Sequence, residues 1–282
     1  MKTVNTVAEA RAAIKAQRAL GKTIGFVPTM GFLHVGHLSL MEAAKERTDF
    51  VVVSIFVNPT QFGPNEDLAS YPRDLNRDQK MCESVGVDLI FAPSVEEMYP
   101  AGYSTYVDCE GDITAQLCGA SRPTHFKGVT SVVAKLFNIV APDVAFFGQK
   151  DAQQVAVIEK MVRDMNFNLE IVPCPIVREA DGLAMSSRNT YLNEVERKEA
   201  LVLSQALNLA KEKIDQGERS TSVLIEMMTE KINQSPVSTI DYVSIVDSST
   251  LAPIETLNDD FLVALAVKIG KTRLIDNFRQ RS

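Results

Sequence analysis

The chain has 282 residues, 45% hydrophobic and 23% charged, with 29 Lys and Arg against 36 Asp and Glu for a net charge of −7. This is the composition of a globular protein long enough for one large or two unequal domains. The acidic balance argues against a general nucleic-acid binder but not against a local anion site.

The opening stretch, residues 1–17, lacks the apolar centre of a signal peptide and reads as an amphipathic helix. Apolar runs at 23–29, 49–58, 87–94, 143–149 and 169–177 are continuous rather than alternating, the pattern of strands covered on both faces. Helix-like stretches at 37–47, 75–86, 128–142 and 151–166 separate them. Strand–helix–strand repetition predicts a Rossmann-like, doubly wound parallel sheet of the α/β class, in which ligands bind at the carboxyl ends of the strands. Beyond about residue 177 the character changes. A long charged helix is expected over 193–218 and another over 220–234, and 239–251 and 261–278 read as strands of a small separate sheet. The expected domains are therefore 1–177, a nucleotide-handling α/β domain, and 178–282, a smaller α+β C-terminal domain. Cysteines at 82, 109, 118 and 174 form no C-x-x-C pair; they read as small buried hydrophobes in a reducing compartment. No apolar run approaches the ~20 residues of a membrane span, so a cytoplasmic protein is expected.

Five stretches carry polar chemistry just after strands. The first, PTMGFLHVGH, sets His34 and His37, two of only three histidines, at the start of a helix. Unpaired backbone N–H groups there suit phosphate, and the imidazoles add donors. The zinc-protease pattern H-E-x-x-H is absent, and the GK[ST] fragments at 21–23 and 270–272 lack the first glycine of a Walker loop. The second, VNPTQFGPNEDLASYPRD, offers the neutral amides of Asn58 and Gln61 for a small polar substrate; turn chemistry around Pro59 is the alternative for Asn58. The third, CGASRPTHFKGV, places Arg122 and His125 before a helix, where a surface loop is the plainer reading. In the fourth, FFGQKDAQQVAVI, Gly148 permits close backbone approach, Lys150 suits phosphate, and Asp151 suits ribose hydroxyls or an N-cap; Gln154 lies one turn beyond Lys150. The fifth, VREADGLAMSSRN, joins two hydroxyls to a guanidinium, either an oxyanion clamp or a polar linker with capping serines.

Together these stretches resemble, in order and spacing, the motifs of the pantothenate synthetase (pantoate–β-alanine ligase) family. HVGH is similar to the HIGH motif of the wider nucleotidyltransferase superfamily, and MSSRN stands where class I aminoacyl-tRNA synthetases carry a mobile KMSKS loop. The resemblance implies ATP-dependent condensation of (R)-pantoate with β-alanine through a pantoyl adenylate, releasing pyrophosphate and AMP. It implies that Met30, Gly31, Phe32, Leu33, His34, Val35, Gly36 and His37 form a first ATP segment. Gly148, Gln149, Lys150 and Asp151 form a second, Val177 offers backbone bonds to adenine, and Met185, Ser186, Ser187 and Arg188 close over the triphosphate. His34, His37 and Lys150 are the catalytic set. His37 carries a proton-donor role in enzymes of this type, and we read it as an electrostatic stabiliser. Asn58, Gln61 and Gln154 would hold pantoate and then β-alanine, with Arg122 and His125 completing the substrate side. Mg²⁺ is expected with the ATP phosphates rather than in a protein cage, and a homodimer through the first domain is a family expectation. Gln149 departs from the acidic residue common at that position.

Three other readings share parts of this pattern. A cytidylyl- or adenylyltransferase would keep the H-x-G-H corner and use a phosphate acceptor. A tRNA synthetase would need a basic surface that this acidic chain does not advertise. A nucleotide sensor would bind ATP without turnover.

Overall fold

Residues whose side chains are apolar on both sides of the strand have nowhere to go but between two layers of helices, and the strands here behave accordingly. In the computed structural model, which describes residues 1–64 and 66–280, six strands form one parallel sheet. They are β1 Lys2–Val4, β2 Ile24–Thr29, β3 Phe50–Ile55, β4 Leu89–Phe91, β5 Val144–Gly148 and β6 Glu170–Cys174, in the order β1-β4-β3-β2-β5-β6. Ile24, Phe26, Val51, Val52, Val53, Ile90 and Phe146 are wholly buried. Between these strands in sequence lie the helices α1 Val7–Arg18, α2 Val35–Arg47, α3 Leu75–Ser84, α4 Val95–Met98, α5 Asp112–Ala115, α6 Cys118–Ser121, α7 His125–Val140 and α8 Ala152–Asp164.

The chain divides into two compact units. The first comprises 1–109, 124–149 and 157–175 and contains the whole parallel sheet; the second comprises 110–123, 150–156 and 176–282. Segments 110–123 and 150–156, assigned to the first domain by the sequence reading, thus cluster with the C-terminal residues.

Within the first unit, β2 is the pivot. The chain runs β2, β3, β4 to one side and then crosses to β5 and β6 on the other, so the strand order reverses between β2 and β5. The β2–β3 ladder is complete, from Ile24↔Phe50 to Thr29↔Ile55. The β2–β5 ladder holds only Gly25↔Val144 and Phe26↔Ala145 and then stops. The two strands therefore part toward their carboxyl ends, and this is where ligands enter doubly wound sheets.

The second unit contains an antiparallel sheet, β7 Ser238–Asp247, β8 Phe261–Ile269 and β9 Thr272–Gln280, with β8 central. Helices α9 Glu194–Glu199, α10 Val202–Asp215 and α11 Thr221–Ile232 accompany it. Its core gathers Leu203, Ala206, Leu207, Leu224, Met228, Ile232, Val263, Leu265 and Val267.

Two local expectations are corrected. The stretch 1–17 is not one helix: residues 2–4 pair with β4 as a parallel edge strand (Lys2↔Leu89, Val4↔Phe91), and the helix starts at Val7 behind a Thr6–Glu9 capping box. The single helix over 193–218 is interrupted near Ala200. There Leu201 N donates to Lys198 O and Leu203 N to Ala200 O, a tightened turn of 3₁₀ type between α9 and α10.

Candidate active site

In the first unit, β2 leaves the sheet at Thr29 and the chain must reverse into α2 within five residues. Gly31 makes this possible: its φ is +79°, and a Cβ there would stand 2.9 Å from both Asp78 Oδ2 and Ile55 Cγ2. Phe32 follows with φ +49°. The two amides that this turn exposes inward, Phe32 N and Leu33 N, donate to the Asp78 carboxylate at 2.8 and 2.7 Å. Asp78 is 1% exposed. Desolvation raises its pKa, and the two backbone hydrogen bonds oppose that rise. The Arg77 guanidinium lies 4.9 Å from the Phe32 ring and covers the outer side of the turn. Asp78 does not stand out in the sequence. The available signal was a carboxylate on the inward side of α3, one helical turn before the buried Cys82.

His34 is the N-cap of α2 and His37 its third residue. His37 Nδ1 accepts the His34 backbone N–H at 3.3 Å, and the two rings lie 4.0 Å apart, tilted by 38°. Both histidines are half-buried and stand at the start of α2, beside the parting of β2 and β5. Met30, Gly31, Phe32, Leu33, Val35 and Gly36 complete the same corner, Val35 being 50% exposed. β5 ends in this unit at Gly148, and Gln149 opens a 3₁₀ turn.

Asn58 is the N-cap of a 3₁₀ turn over Pro59–Gln61, so the turn chemistry open to it in the sequence is realised. It is 1% exposed, and its polar atoms are all engaged. Nδ2 donates to Gln61 Oε1 (3.0 Å) and Gly128 O (3.2 Å). Oδ1 accepts from Tyr99 Oη (2.8 Å), Thr60 Oγ1 (2.9 Å) and Thr60 N (3.3 Å). Gln61 Nε2 reaches Met30 Sδ at 3.2 Å, and His125 Nδ1 lies 2.9 Å from Gln61 O. The structure thus brings Met30, Asn58, Gln61 and His125 into one cluster. Helix α7 backs directly onto it: a Cβ on Gly128 would stand 2.3 Å from Thr60 O and 2.6 Å from Gln61 Cα.

In the second unit, Lys150 and Asp151 lie in the turn preceding α8. The Lys150 carbonyl accepts from Asn277 Nδ2 at 2.8 Å. The side chains of Lys150, Asp151 and Gln154 form no hydrogen bond or ion pair among the described residues, so Asp151 is not spent as an N-cap. Their neighbour Gln153 is 5% exposed and fully used: Oε1 takes Cys118 N (2.9 Å), and Nε2 donates to Ile113 O (3.0 Å) and Gln116 O (2.7 Å). It fastens the segment that leads to Arg122, whose own N–H donates to Cys118 O.

The MSSRN segment of this unit is anchored at its base. Met185 N donates to Val177 O at 2.9 Å, which joins two predicted nucleotide-site residues directly, and Arg178 and Ala184 form an isolated antiparallel bridge. Ser186 caps the 3₁₀ turn Ser187–Tyr191 by accepting Arg188 N at 3.3 Å, while Ser187 is 7% exposed. Asn189 Nδ2 donates to Glu179 Oε1 (2.7 Å), and Arg197 pairs with Glu179 (2.6 Å) and Asp181 (2.9 Å). Arg178 grips the buried Asp276 through two hydrogen bonds of 2.7 and 2.9 Å. These acidic anchors were not legible as site features in the sequence.

Among the described residues no group of three or more His, Cys, Asp or Glu is placed to hold a metal ion, and no helix is long and apolar enough to cross a membrane.

The chain has counterparts among known proteins over nearly its whole length. A pantothenate synthetase of Pelotomaculum thermopropionicum is 60% identical over 277 residues, 98% of each chain. The crystal structure of pantothenate synthetase from Thermus thermophilus superposes with a TM-score of 0.95 at 48% identity, over 99% of each chain. That of pantoate-beta-alanine ligase from Francisella tularensis, complexed with beta-gamma ATP and beta-alanine, gives 0.83 at 36% identity, covering 99% of this chain and 97% of that one. The family model for pantoate-beta-alanine ligase matches residues 2–279, and the chain is a member of that enzyme family.

Proposed function

We propose that this enzyme joins (R)-pantoate to β-alanine in two steps, using ATP. An oxygen of the pantoate carboxylate attacks the α-phosphorus of ATP; the new O–P bond forms as the bond to pyrophosphate breaks. The amine of β-alanine then attacks the acyl carbon, AMP departs with the C–O bond electrons, and the amine gives up a proton. Adenylation is needed because oxide is no leaving group for direct amidation. Most of the protein's contribution in such a reaction is positioning and charge stabilisation.

The observation that carries this reading is the corner at the end of β2. The His34 amide donates to His37 Nδ1, which holds the two imidazoles together beside the start of a helix, where phosphate is favoured. In this reading His34 and His37 stabilise charge on the departing pyrophosphate and Lys150 neutralises phosphate. Asp151 takes ribose hydroxyls, Val177 offers backbone bonds to adenine, and Ser186, Ser187 and Arg188 bind the phosphates. Gln61 and Gln154 take the pantoate oxygens, with Arg122 and His125 on the substrate side. Mg²⁺ arrives as MgATP, part of the substrate. The Francisella tularensis complex with a nucleotide and beta-alanine supports both ligand classes.

A homodimer joined through the first domain belongs to the same reading, and light scattering would then return twice the chain mass of 31.0 kDa. The four cysteines are free thiols, which suits a cytoplasmic enzyme.

The direct test is pyrophosphate–ATP isotope exchange with Mg²⁺ and (R)-pantoate in the absence of β-alanine. Exchange that requires pantoate is the expected result. Binding of ATP without exchange would count against the adenylate and favour a concerted reaction, another acceptor or a sensor.

A further inference from the structure

The amide of Gln61 can assist a substrate only if it faces the right way, because its oxygen and nitrogen ends have opposite hydrogen-bonding character. Its main chain has little freedom. His125 Nδ1 lies 2.9 Å from its carbonyl oxygen, and α7 packs against its Cα at Gly128 so closely that no side chain fits there. Its side-chain oxygen is held by Asn58, whose Nδ2 donates to Gln61 Oε1 at 3.0 Å. With its oxygen held, Gln61 turns Nε2 toward Met30 Sδ at 3.2 Å. A thioether is a weak acceptor.

This arrangement moves the question back one step, to what orients Asn58. Its Oδ1 accepts from Tyr99 Oη and from the hydroxyl and amide of Thr60. The Thr60 hydroxyl can rotate away and also lies 3.4 Å from Tyr99 Oη. The Thr60 amide (3.3 Å) and the Gly128 carbonyl (3.2 Å) favour the same orientation of Asn58 through longer bonds, whereas the phenol makes the shortest, 2.8 Å, from a ring held in place. Its ring is flanked by Phe56 (centroids 6.1 Å apart) and Tyr103 (5.0 Å), with Lys135 Nζ 5.4 Å from its centre. Burial pushes the Tyr99 hydroxyl up to about 12, so it keeps its proton and remains a donor across the working range of pH.

We propose that Tyr99 is a positioning residue for the substrate-facing amide of Gln61, acting through Asn58 and touching no substrate itself. Tyr99 Oη holds the oxygen of Asn58, the nitrogen of Asn58 holds the oxygen of Gln61, and the nitrogen of Gln61 is thereby presented beside Met30. If Asn58 flips, its oxygen faces Gln61 Oε1, which forces Gln61 to flip as well and offers an acceptor where the substrate needs a donor. The proposal rests on the reading that Gln61 contacts pantoate.

Tyr99→Phe removes only the hydroxyl and keeps the ring. With full-length enzyme and pantothenate formation followed by mass spectrometry, the KM for pantoate is expected to rise about 10-fold, the weight of one net hydrogen bond. The KM for ATP should stay within about twofold, and Tyr99→Phe should add nothing further in a Gln61→Ala background. A wild-type KM for pantoate in Tyr99→Phe, with Gln61→Ala strongly impaired, overturns the proposal and leaves the Gln61 reading standing. An unchanged KM for pantoate in Gln61→Ala overturns both. A full additional loss in the double variant assigns Tyr99 a general structural role and overturns the proposal too. If Tyr99→Phe fails to fold, Asn58→Asp, of the same shape but without the Nδ2 donor, carries the same comparison.

Discussion

The buried carboxylate of Asp78 accepts the backbone N–H of Leu33 at 2.7 Å, across 45 residues of sequence. With its second bond to Phe32 N, it clamps the turn from which His34 and His37 project, so this corner depends on a residue outside the H-x-G-H motif.

Replacing Asp78 by Asn keeps the shape but leaves one acceptor for two amides and sets an NH₂ group against the other. Such a loss in a buried site costs about 1–3 kcal/mol of stability, and slower pantoate-dependent exchange should accompany it. Thermal unfolding and the exchange assay would show both. The sign of the pH effect is also set. The folded-state pKa lies above 3.8, because desolvation penalises the carboxylate. The folded protein thus binds this proton more readily than the unfolded chain, and the Asp78 contribution to stability falls as pH rises through the window from 3.8 to the raised value. Asp78→Asn should lack that fall; an identical pH dependence in wild type and variant would contradict the assignment.

His37→Ala should fold normally and lose about 10²- to 10³-fold in adenylation rate, as for one transition-state donor, or ~3–4 kcal/mol of barrier. A folded variant with the wild-type rate would remove His37 from the catalytic set. Circular dichroism with isotope exchange decides between these outcomes.

Gly128→Ala places a methyl group 2.3 Å from Thr60 O, a backbone atom that cannot swing aside. About 1–3 kcal/mol of destabilisation is expected, as for overpacking in general. The KM for pantoate should also rise, because relief requires α7 to back away from Gln61. Chemical denaturation and steady-state kinetics test the two parts separately.

Arg178→Met strands Asp276, whose side chain is 1% exposed. Removing one partner of a buried pair costs about 3–5 kcal/mol; the lower end is expected here because the Arg178 side chain is 33% exposed. The turn from Arg178 to Ala184, and with it the base of MSSRN, should loosen. Amide hydrogen exchange of Met185, which donates to Val177 O, would report it.

The sequence alone determined the parts that depend on local pattern. Continuous apolar runs announced β2 through β6 because a strand buried on both faces has no polar side, and 3.6-residue periodicity announced the long helices. The polar residues just after those strands marked a candidate site because chain leaving a parallel sheet at its carboxyl edge is where ligands meet backbone. Tertiary structure decided the rest, each time through a partner distant in sequence. Lys2–Val4 became a strand because β4 lay open to pair with it, although the surrounding residues read as helix. Asn58, one polar residue among several in its loop, became fully engaged because Tyr99 and Gly128 arrive from 41 and 70 residues away. Asp78 turned from a helix-surface carboxylate into the clamp of the first turn, because packing α3 against α2 put its side chain beneath two orphaned amides. Propensity and periodicity act over a few residues, whereas a hydrogen bond needs its partner within about 3 Å, and only the folded chain sets that distance.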